Sequence, residues 1–528
     1  MELASKLAIL ADAAKYDASC ASSGGTRRDS SRAGGGQGGI GSNETVQLEY
    51  SFDDGVEWRT IVGSYPIGAG IYYWPSYLTQ GGVEIWPSNP DGTWRIYLRD
   101  NTNVWDMTDT YFGLRNSPFK YYVNDASTNN DLYCDLIGIE TNRGTRPDRP
   151  KDSLVSLLRD RDLEPTDEVY VDTGTYYMTD TNAPIRWEVS DGGEEGAALQ
   201  VRGSTHAARS TFIATNPFAA GGFLFMDAGH IDMRDLHFAG ESVRFTGNGL
   251  IVSNLTLTNR PGSTVSLGIT SDNSVFDDVQ LDRGTLSLSG QGNRVDRLRQ
   301  RWGGLSIVGT NVTLLHSAVL VTNVNAIAVN IDAVGSVISN CTIVAPRGTA
   351  INKLGSGILR LSQNILVAGG TDANSVIAWN DGALISDWNN LRARNSAWIG
   401  SRNGKWEKLA YWQAASGQDA NSASFEPLFA WEEAGDLHLK SVQGRWNSSL
   451  GLWETDAEHS PLIDLANPWV GSGLEPIPNG YRMNLGAYGG TTNASLSRTN
   501  FWLTALSLND GGVAKGTNVV LRWAVSNN

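Results

Sequence analysis

From Asp235 to Val367 the chain repeats one short pattern, a polar residue followed by a strand that alternates apolar and variable positions. It reads DLHF at Asp235, NLTL at Asn254, DVQL at Asp278, RLRQ at Arg297, SAVL at Ser317, NCTI at Asn340 and NILV at Asn364. The spacings are 19, 24, 19, 20, 23 and 24 residues, a mean of about 21.5. A β-sandwich returns a strand every roughly 8 to 12 residues, so this period points instead to the coil of a solenoid. One such unit cannot bury its apolar side alone, but stacked units share a core. The pattern predicts one internal column of Leu236, Leu255, Val279, Leu298, Ala318, Cys341 and Ile365, and a second of Phe238, Leu257, Leu281, Leu320, Ile343 and Val367. Asp, Asn or Ser opens six of the seven units, as suits a turn needing local side-chain hydrogen bonds or left-handed backbone.

The rest of the 528 residues divides by composition. Leu3, Leu7, Leu10 and Ala14 recur at helical spacing, which predicts a short helical leader over residues 1–20, followed by a flexible Gly/Ser/Arg linker over 21–44. From 45 to 117 the period becomes two, in VQLEYSF, EWRTIV and TWRIYLRD, separated by DDG and NPDG turns. Leu154, Leu157 and Leu158 share one face of a helix expected near 152–162. With 41 basic and 56 acidic residues the formal charge is −15, which opposes nucleic acid as a partner. The longest apolar runs fall short of the roughly 18 residues of a membrane span, and Asp12 interrupts LAILADAA, so neither membrane insertion nor an export signal is expected. Cys20, Cys134 and Cys341 offer no C-x-x-C spacing and no disulfide framework.

Two resemblances sharpen the fold. KYYVNDASTNNDLYCDLIGIE through VYVDTGTYY resembles the N-terminal entry of right-handed parallel β-helix (pectin-lyase-like) proteins, where a helix covers the open end of the solenoid. DLHLKSVQGRW, DAEHSPLIDLANP and PNGYRMNLGAYGGTTNASLS resemble the closing part of secreted bacterial members of that group. The resemblance implies an all-β chain with a single right-handed parallel β-helix over 118–497. LEYSFDDGVEWRTI with RIYLRDNTNVWDMTDTYFGL resembles immunoglobulin-like modules of bacterial surface proteins, implying a partial β-sandwich over 45–117. GTNVVLRW, near the far end, has the form of such a module's opening strand, so 498–528 is expected to start a truncated module, and the chain to be part of a longer modular protein. Residues 1–44 resemble the extreme N-terminus of radical S-adenosylmethionine proteins described as putative DNA modification or repair enzymes. The C-x-x-x-C-x-x-C that holds their cluster is absent, so Cys20 is expected to be inert and the leader foreign to the body, a fusion or assembly artefact.

By resemblance the chain is extracellular or at the cell surface, and non-catalytic, structural or glycan-binding; the alternative is a polysaccharide lyase or glycoside hydrolase for acidic polysaccharide. Inverting hydrolysis needs two carboxyls across a water-sized gap, and of the polygalacturonase-type motifs only the pair Asp277-Asp278 is present. Asp278 falls on the repeated turn position, which favours a turn role. Elimination needs a base beside a neutralised uronate carboxylate. Asp272, Asp277, Asp278 and Asp282 with Arg283, Arg294 and Arg297 supply those residue types on neighbouring coils. Calcium would suit the carboxylates, but no motif supports it, so no cofactor or metal site is expected. The histidines, scattered without ligand spacing, are expected to be structural or on the surface. Among 18 tryptophans, Trp388, Trp398, Trp406 and Trp412 are candidates to stack on sugar rings.

Overall fold

The computed structural model describes residues 44–52, 55–74, 89–108, 112–114, 118–180, 182–218, 221–259, 265–500, 502–511, 513 and 519–526. The helical leader, most of the linker and Cys20 lie outside them. The described residues form two compact units, one from parts of Met1–Pro75 and Gly92–Tyr111, the other from parts of Ser76–Asp91 and Phe112–Asn528.

In the first unit, β1 (Thr45–Ser51) lies between β2 (Arg59–Pro66) and β3 (Asn89–Leu98), and β4 (Asn101–Met107) pairs with β3, all antiparallel. Period-two patterning buries Val46, Leu48 and Tyr50. Glu49, also buried, is matched by its cross-strand partner Arg95 at 2.6 Å and by the Tyr97 hydroxyl at 2.9 Å. These strands make one sheet, where the immunoglobulin-like resemblance implies two packed sheets.

The second unit is a parallel β-helix. One sheet of 18 strands and one of 11 are built from successive coils, with all coil-to-coil pairing parallel. At its entry, Lys120–Val123 runs parallel to Glu168–Val171. Helix α1 (Leu154–Asp160), within the span expected from the sequence, is capped by the Ser153 hydroxyl, which accepts the Ser156 amide at 3.2 Å. Leu154 and Leu157 are fully buried in the solenoid core. An apolar helix face thus covers what would otherwise be an open stack of side chains and strand edges.

From Ile231 onward each coil of the larger sheet turns a corner at a residue with left-handed backbone: Asp235, Asn254, Asp278, Arg297, His316, Asn340, Gln363 and Trp388, all with φ between 42° and 63°. Asp278 therefore does the turn work its position suggested. The residue after each corner points inward. That column is Leu236, Leu255, Val279, Leu298, Ser317, Cys341, Asn364 and Asn389, and the next inward column is Phe238, Leu257, Leu281, Gln300, Val319, Ile343, Leu366 and Leu391. The sequence-based columns are correct through Leu298 but slip by one residue in the fifth and seventh coils, because His316 and Gln363, not Ser317 and Asn364, take the corner. A one-residue slip exchanges the two faces of a strand. Ala318, Leu320, Ile365 and Val367 consequently face outward.

Ser317, Asn364 and Asn389 are accommodated in the inner column because each finds a partner one coil away. Asn364 accepts the Cys341 amide at 2.9 Å and donates to the Ile338 carbonyl at 2.9 Å and to Asn389 Oδ1 at 3.0 Å. Ser317 accepts the Leu298 amide at 3.1 Å, and Ser422 accepts that of Asn389 at 2.9 Å. Cys341 is enclosed in this column, where burial pushes its thiol up to about 12, leaving it unreactive at neutral pH.

The outward apolar residues form a second core. Ala318, Leu320, Val344, Ile365 and Val367 pack under Phe429, Leu437, Leu439, Leu462, Leu465, Met483 and Leu485 from the C-terminal segment. Strands Trp502–Ala505 and Trp523–Ser526 pair antiparallel, and Ala524 joins the same core. No helix among the described residues is long and apolar enough to cross a membrane.

Candidate functional site

The C-terminal segment stops short of covering the whole outer face, and the boundary creates a groove. Past the corner, β5 (Ile251–Thr258), β6 (Val275–Asp282), β7 (Arg299–Arg301), β8 (Ala318–Leu320), β9 (Thr342–Ala345) and β10 (Ile365–Ala368) lie side by side. Their outward positions read Thr256 and Thr258, Gln280 and Asp282, Arg299 and Arg301, then Ala318 and Leu320, Thr342 and Val344, Ile365 and Val367. The change from polar to apolar falls between β7 and β8. The apolar positions are covered, with Thr342 among them satisfied by the Ala487 amide at 2.9 Å, while the polar positions of β5 to β7 stay open, because desolvating them without partners would be costly. The result is a cleft of about 790 Å³ whose floor is β5 to β8 with Asp296, Arg297 and His316 beside them, and whose wall is 434–438, 448–449, Leu474, Tyr488 and 490–493.

Charged groups in and beside the groove are paired coil to coil. Asp277 and Asp296 are register partners on adjacent coils. Arg297 reaches Asp277 at 2.5 Å, Arg301 lies 3.5 Å from Asp282, and Asp296 accepts Arg294 at 2.6 Å and bonds His316 Nδ1 at 2.9 Å. Arg301 also donates to the Ala434 carbonyl at 3.0 Å, tying floor to wall. Burial pushes the Asp277 carboxyl up against the pull of Arg297, with Asp296 and Asp278 adding to the rise. Against the same desolvation, hydrogen bonds from His316 and Arg294 hold Asp296 down at about 2. Two neighbouring carboxyls are thereby driven apart in acidity, a common feature of functional sites and also of structural ion-pair networks.

The wall carries a second histidine–aspartate pair. Asp436 meets His438 Nδ1 at 2.6 Å, and the His438 ring stacks on Tyr488 with centroids 3.5 Å apart. Arg299 lies over the Tyr488 ring at 4.7 Å and donates to the His316 carbonyl at 2.6 Å. His438 is 3% exposed, and its Nε2 is buried without a partner. Burial lowers the His438 imidazole and raises the Tyr488 phenol, so both are neutral at pH 7.

Of the residues singled out from the sequence, Asp278, Asp282 and Arg297 line the groove and Asp277 adjoins it through Arg297. Arg283 does not, for it takes left-handed backbone after β6 and lies over Trp302 at 5.3 Å. Asp272 is a turn residue, accepting the Gln291 amide at 2.7 Å. Trp412 is corrected outright. It lies in α2 (Leu409–Ser416), is fully buried, donates to Asp419 at 2.9 Å and cannot stack on a sugar. Trp406 packs against the solenoid core, and Trp398 donates to the Asp372 carbonyl at 2.9 Å. Trp388, a corner residue, lines a different cleft of about 950 Å³ together with Tyr411, Gln418, Asn421 and Arg482. None of the four tryptophans lines the groove.

Arg299, His316, His438 and Tyr488 were not singled out as site residues. The sequence did hold a signal for two of them: RLRQR alternates arginines at strand period, and His316 stands 20 residues after Asp296, one coil's length. Among the described residues no three His, Cys, Asp or Glu side chains gather as metal ligands do.

No protein-family model matches the chain, and no curated protein matches it. Among solved structures it is similar to pectate lyase Pel9A, at 13% identity and a TM-score of 0.44 over 70% of this chain and 96% of the other. It is similar also to a rhamnogalacturonan lyase, at 11% identity and a TM-score of 0.41 over 65% and 97%, and to GH136 lacto-N-biosidase from Eubacterium ramulus, at 11% identity and a TM-score of 0.33 over 53% and 62%.

Proposed function

We propose that the chain is a glycan-binding β-helix protein that holds an acidic polysaccharide in the groove between β5–β8 and the C-terminal wall. The observation that carries this reading is the guanidinium row Arg297, Arg299 and Arg301. It stands on the floor of an open groove, among Asp278, Gln280, Asp282, Thr256 and Thr258. Arginine's planar donor fork matches a uronate carboxylate, and the interspersed amide, carboxylate and hydroxyl groups match sugar hydroxyls. Arg297 and Arg301 keep 48% and 42% of their side chains exposed, so both remain open to a ligand while held by Asp277 and Asp282. An extended polymer fits a groove open to solvent better than a closed cavity. The same reading makes the chain extracellular or cell-surface, where such polymers lie.

Calorimetric titration with polygalacturonate and alginate oligosaccharides tests it. Wild type is expected to bind, and Arg299→Gln and Arg297→Gln each to weaken binding about tenfold, the scale of one charge-assisted hydrogen bond of roughly 1.5 kcal/mol. Rising salt should weaken it further. Equal affinity of wild type and both variants for every acidic chain, or binding of neutral galactan alone, refutes the reading.

A further inference from the structure

We infer that the cleft between α2, the Trp388 corner and the C-terminal strand pair is a second binding site, one for a small carboxylic acid with an apolar body, its carboxylate held by Arg522 and Arg482. The cleft shares no lining residue with the groove, so this inference stands apart from the proposal that the groove binds a uronate chain.

Two guanidiniums line the cleft, and neither has a carboxylate partner among the described residues. Arg522 donates from Nη1 to Asn421 Oδ1 at 2.9 Å, which leaves its Nε–Nη2 edge for the two parallel hydrogen bonds that a carboxylate accepts. Arg482 donates from Nε to the Ala466 carbonyl at 2.5 Å and from Nη2 to the Leu465 carbonyl at 3.2 Å, so Nη1 is left, and its guanidinium lies 5.8 Å over the Trp388 ring. Other arginines of the β-helix are matched by acids: Arg394 by Glu426 and Glu432, Arg445 by Asp436, Glu454 and Asp456. Burial pulls the Arg482 guanidinium down from its ordinary value, against the opposing influence of Asp464. A cation drawn out of water without a matched counter-charge is stabilised when a ligand brings one. Asp387 lies behind Asn421, but its carboxylate is taken by the Trp388 amide at 2.9 Å and by the Asn421 amide and carboxamide at 2.6 and 2.7 Å. Asp510, the one acid among the described lining residues, accepts the Leu409 amide at the start of α2. The lining is therefore net cationic in a chain whose formal charge is −15.

The rest of the lining decides what the carboxylate is attached to. Its polar side chains are spent on the fold: Gln418 Oε1 accepts the Ser386 amide at 2.9 Å, Gln413 donates to the Asp419 carbonyl at 2.7 Å, and the Ser422 hydroxyl accepts the Asn389 amide at 2.9 Å and donates to Asp419 Oδ1 at 2.7 Å. A sugar needs a partner for each hydroxyl it takes out of water, and few are left here. An alkyl chain or an aromatic ring needs only apolar surface, which Leu409, Ala410, Ala414, Pro468 and Leu506 present. Leu521 and Trp523 at the rim are each 66% exposed and gain cover when such a body is seated. A cleft of about 950 Å³ is of the size that takes a small organic ligand, and apolar walls with a few placed polar groups are the usual form of such a site.

Calorimetric titration of the full chain with decanoate and with 4-phenylbutyrate tests the inference, beside 4-phenylbutanol, which lacks the charge, and galacturonate, which lacks the apolar body. At least one of the two acids is expected to bind, and 4-phenylbutanol and galacturonate to bind about tenfold more weakly or not at all. Arg522→Gln should weaken binding of the acid about tenfold, the scale of a lost charge-assisted hydrogen bond. Ala414 is exposed on α2 where it lines the cleft, so Ala414→Trp should fill the site and abolish binding. Circular dichroism and the melting temperature check that both variants keep the fold. Tighter binding of decanoate supports an alkyl acid, and tighter binding of 4-phenylbutyrate an aromatic one. Absence of binding of both acids up to about 1 mM, equal or tighter binding of 4-phenylbutanol or galacturonate, or unchanged affinity in either folded variant overturns the inference.

Discussion

Replacing Asn364 by alanine is expected to destabilise the β-helix by roughly 2–5 kcal/mol, because each buried backbone group stripped of its partner costs about 1–3 kcal/mol. Asn364 is fully buried, and its side chain serves the Cys341 amide, the Ile338 carbonyl and the Asn389 side chain. Truncation orphans a donor and an acceptor in a place water does not reach. The Asn389 carboxamide would also lose one contact from the ladder that continues to Ser422. Chemical denaturation followed by circular dichroism measures the change. Had Asn364 been an exposed turn residue, as the repeat alone suggests, the substitution would fall within about 0.5 kcal/mol of neutral. The experiment therefore also decides the register of the seventh coil.

Glu475→Gln is expected to abolish much of the pH dependence of stability above pH 5. Glu475 is buried; its Oε1 accepts the Asn484 amide at 2.7 Å and the Gly490 amide at 2.8 Å, while Oε2 has no partner. Burial is the largest influence on this carboxyl and lifts it to about 8 despite those two hydrogen bonds. The folded state thus keeps a proton that the unfolded chain releases from about pH 4.5 upward. The stabilisation from this group is complete below that value, and is lost as pH rises through the window to about 8, on the order of 1 kcal/mol per pH unit. Glutamine keeps an acceptor for both amides and carries no charge to desolvate. Melting temperatures at about pH 5 and pH 9 should converge for the variant and diverge for wild type, the variant being the more stable at pH 9. Parallel slopes for the two proteins would show that Glu475 ionises freely. Gly490 and Tyr488 belong to the groove wall, so the same carboxyl braces the proposed binding site.

How much of this could be read from residues alone differs between floor and wall. The coil period, the entry helix and the inner columns through Leu298 followed from patterning, since identical local geometry repeats in each coil. The slip at Ser317 and Asn364 arose because a polar inner column looks like a turn: asparagine suits left-handed corners, and here the corners are His316 and Gln363 while the asparagine is inside. Tryptophan number was a poor guide to sugar contact, since Trp412 and Trp406 serve packing in the last coils. The His316–Asp296 pair became visible only with the coil register, which places residues 20 apart beside each other. The wall was not legible, because Ala434 meets Arg301 across 133 residues and no local pattern encodes that contact.

The most direct test of the account is a crystal structure with a saturating uronate tetrasaccharide. The account predicts sugar density along β5–β7, with a carboxylate against Arg299 or Arg301 and a ring facing Tyr488 and His316. Density confined to the Trp388 cleft, or an empty groove under conditions where calorimetry shows binding, would contradict it.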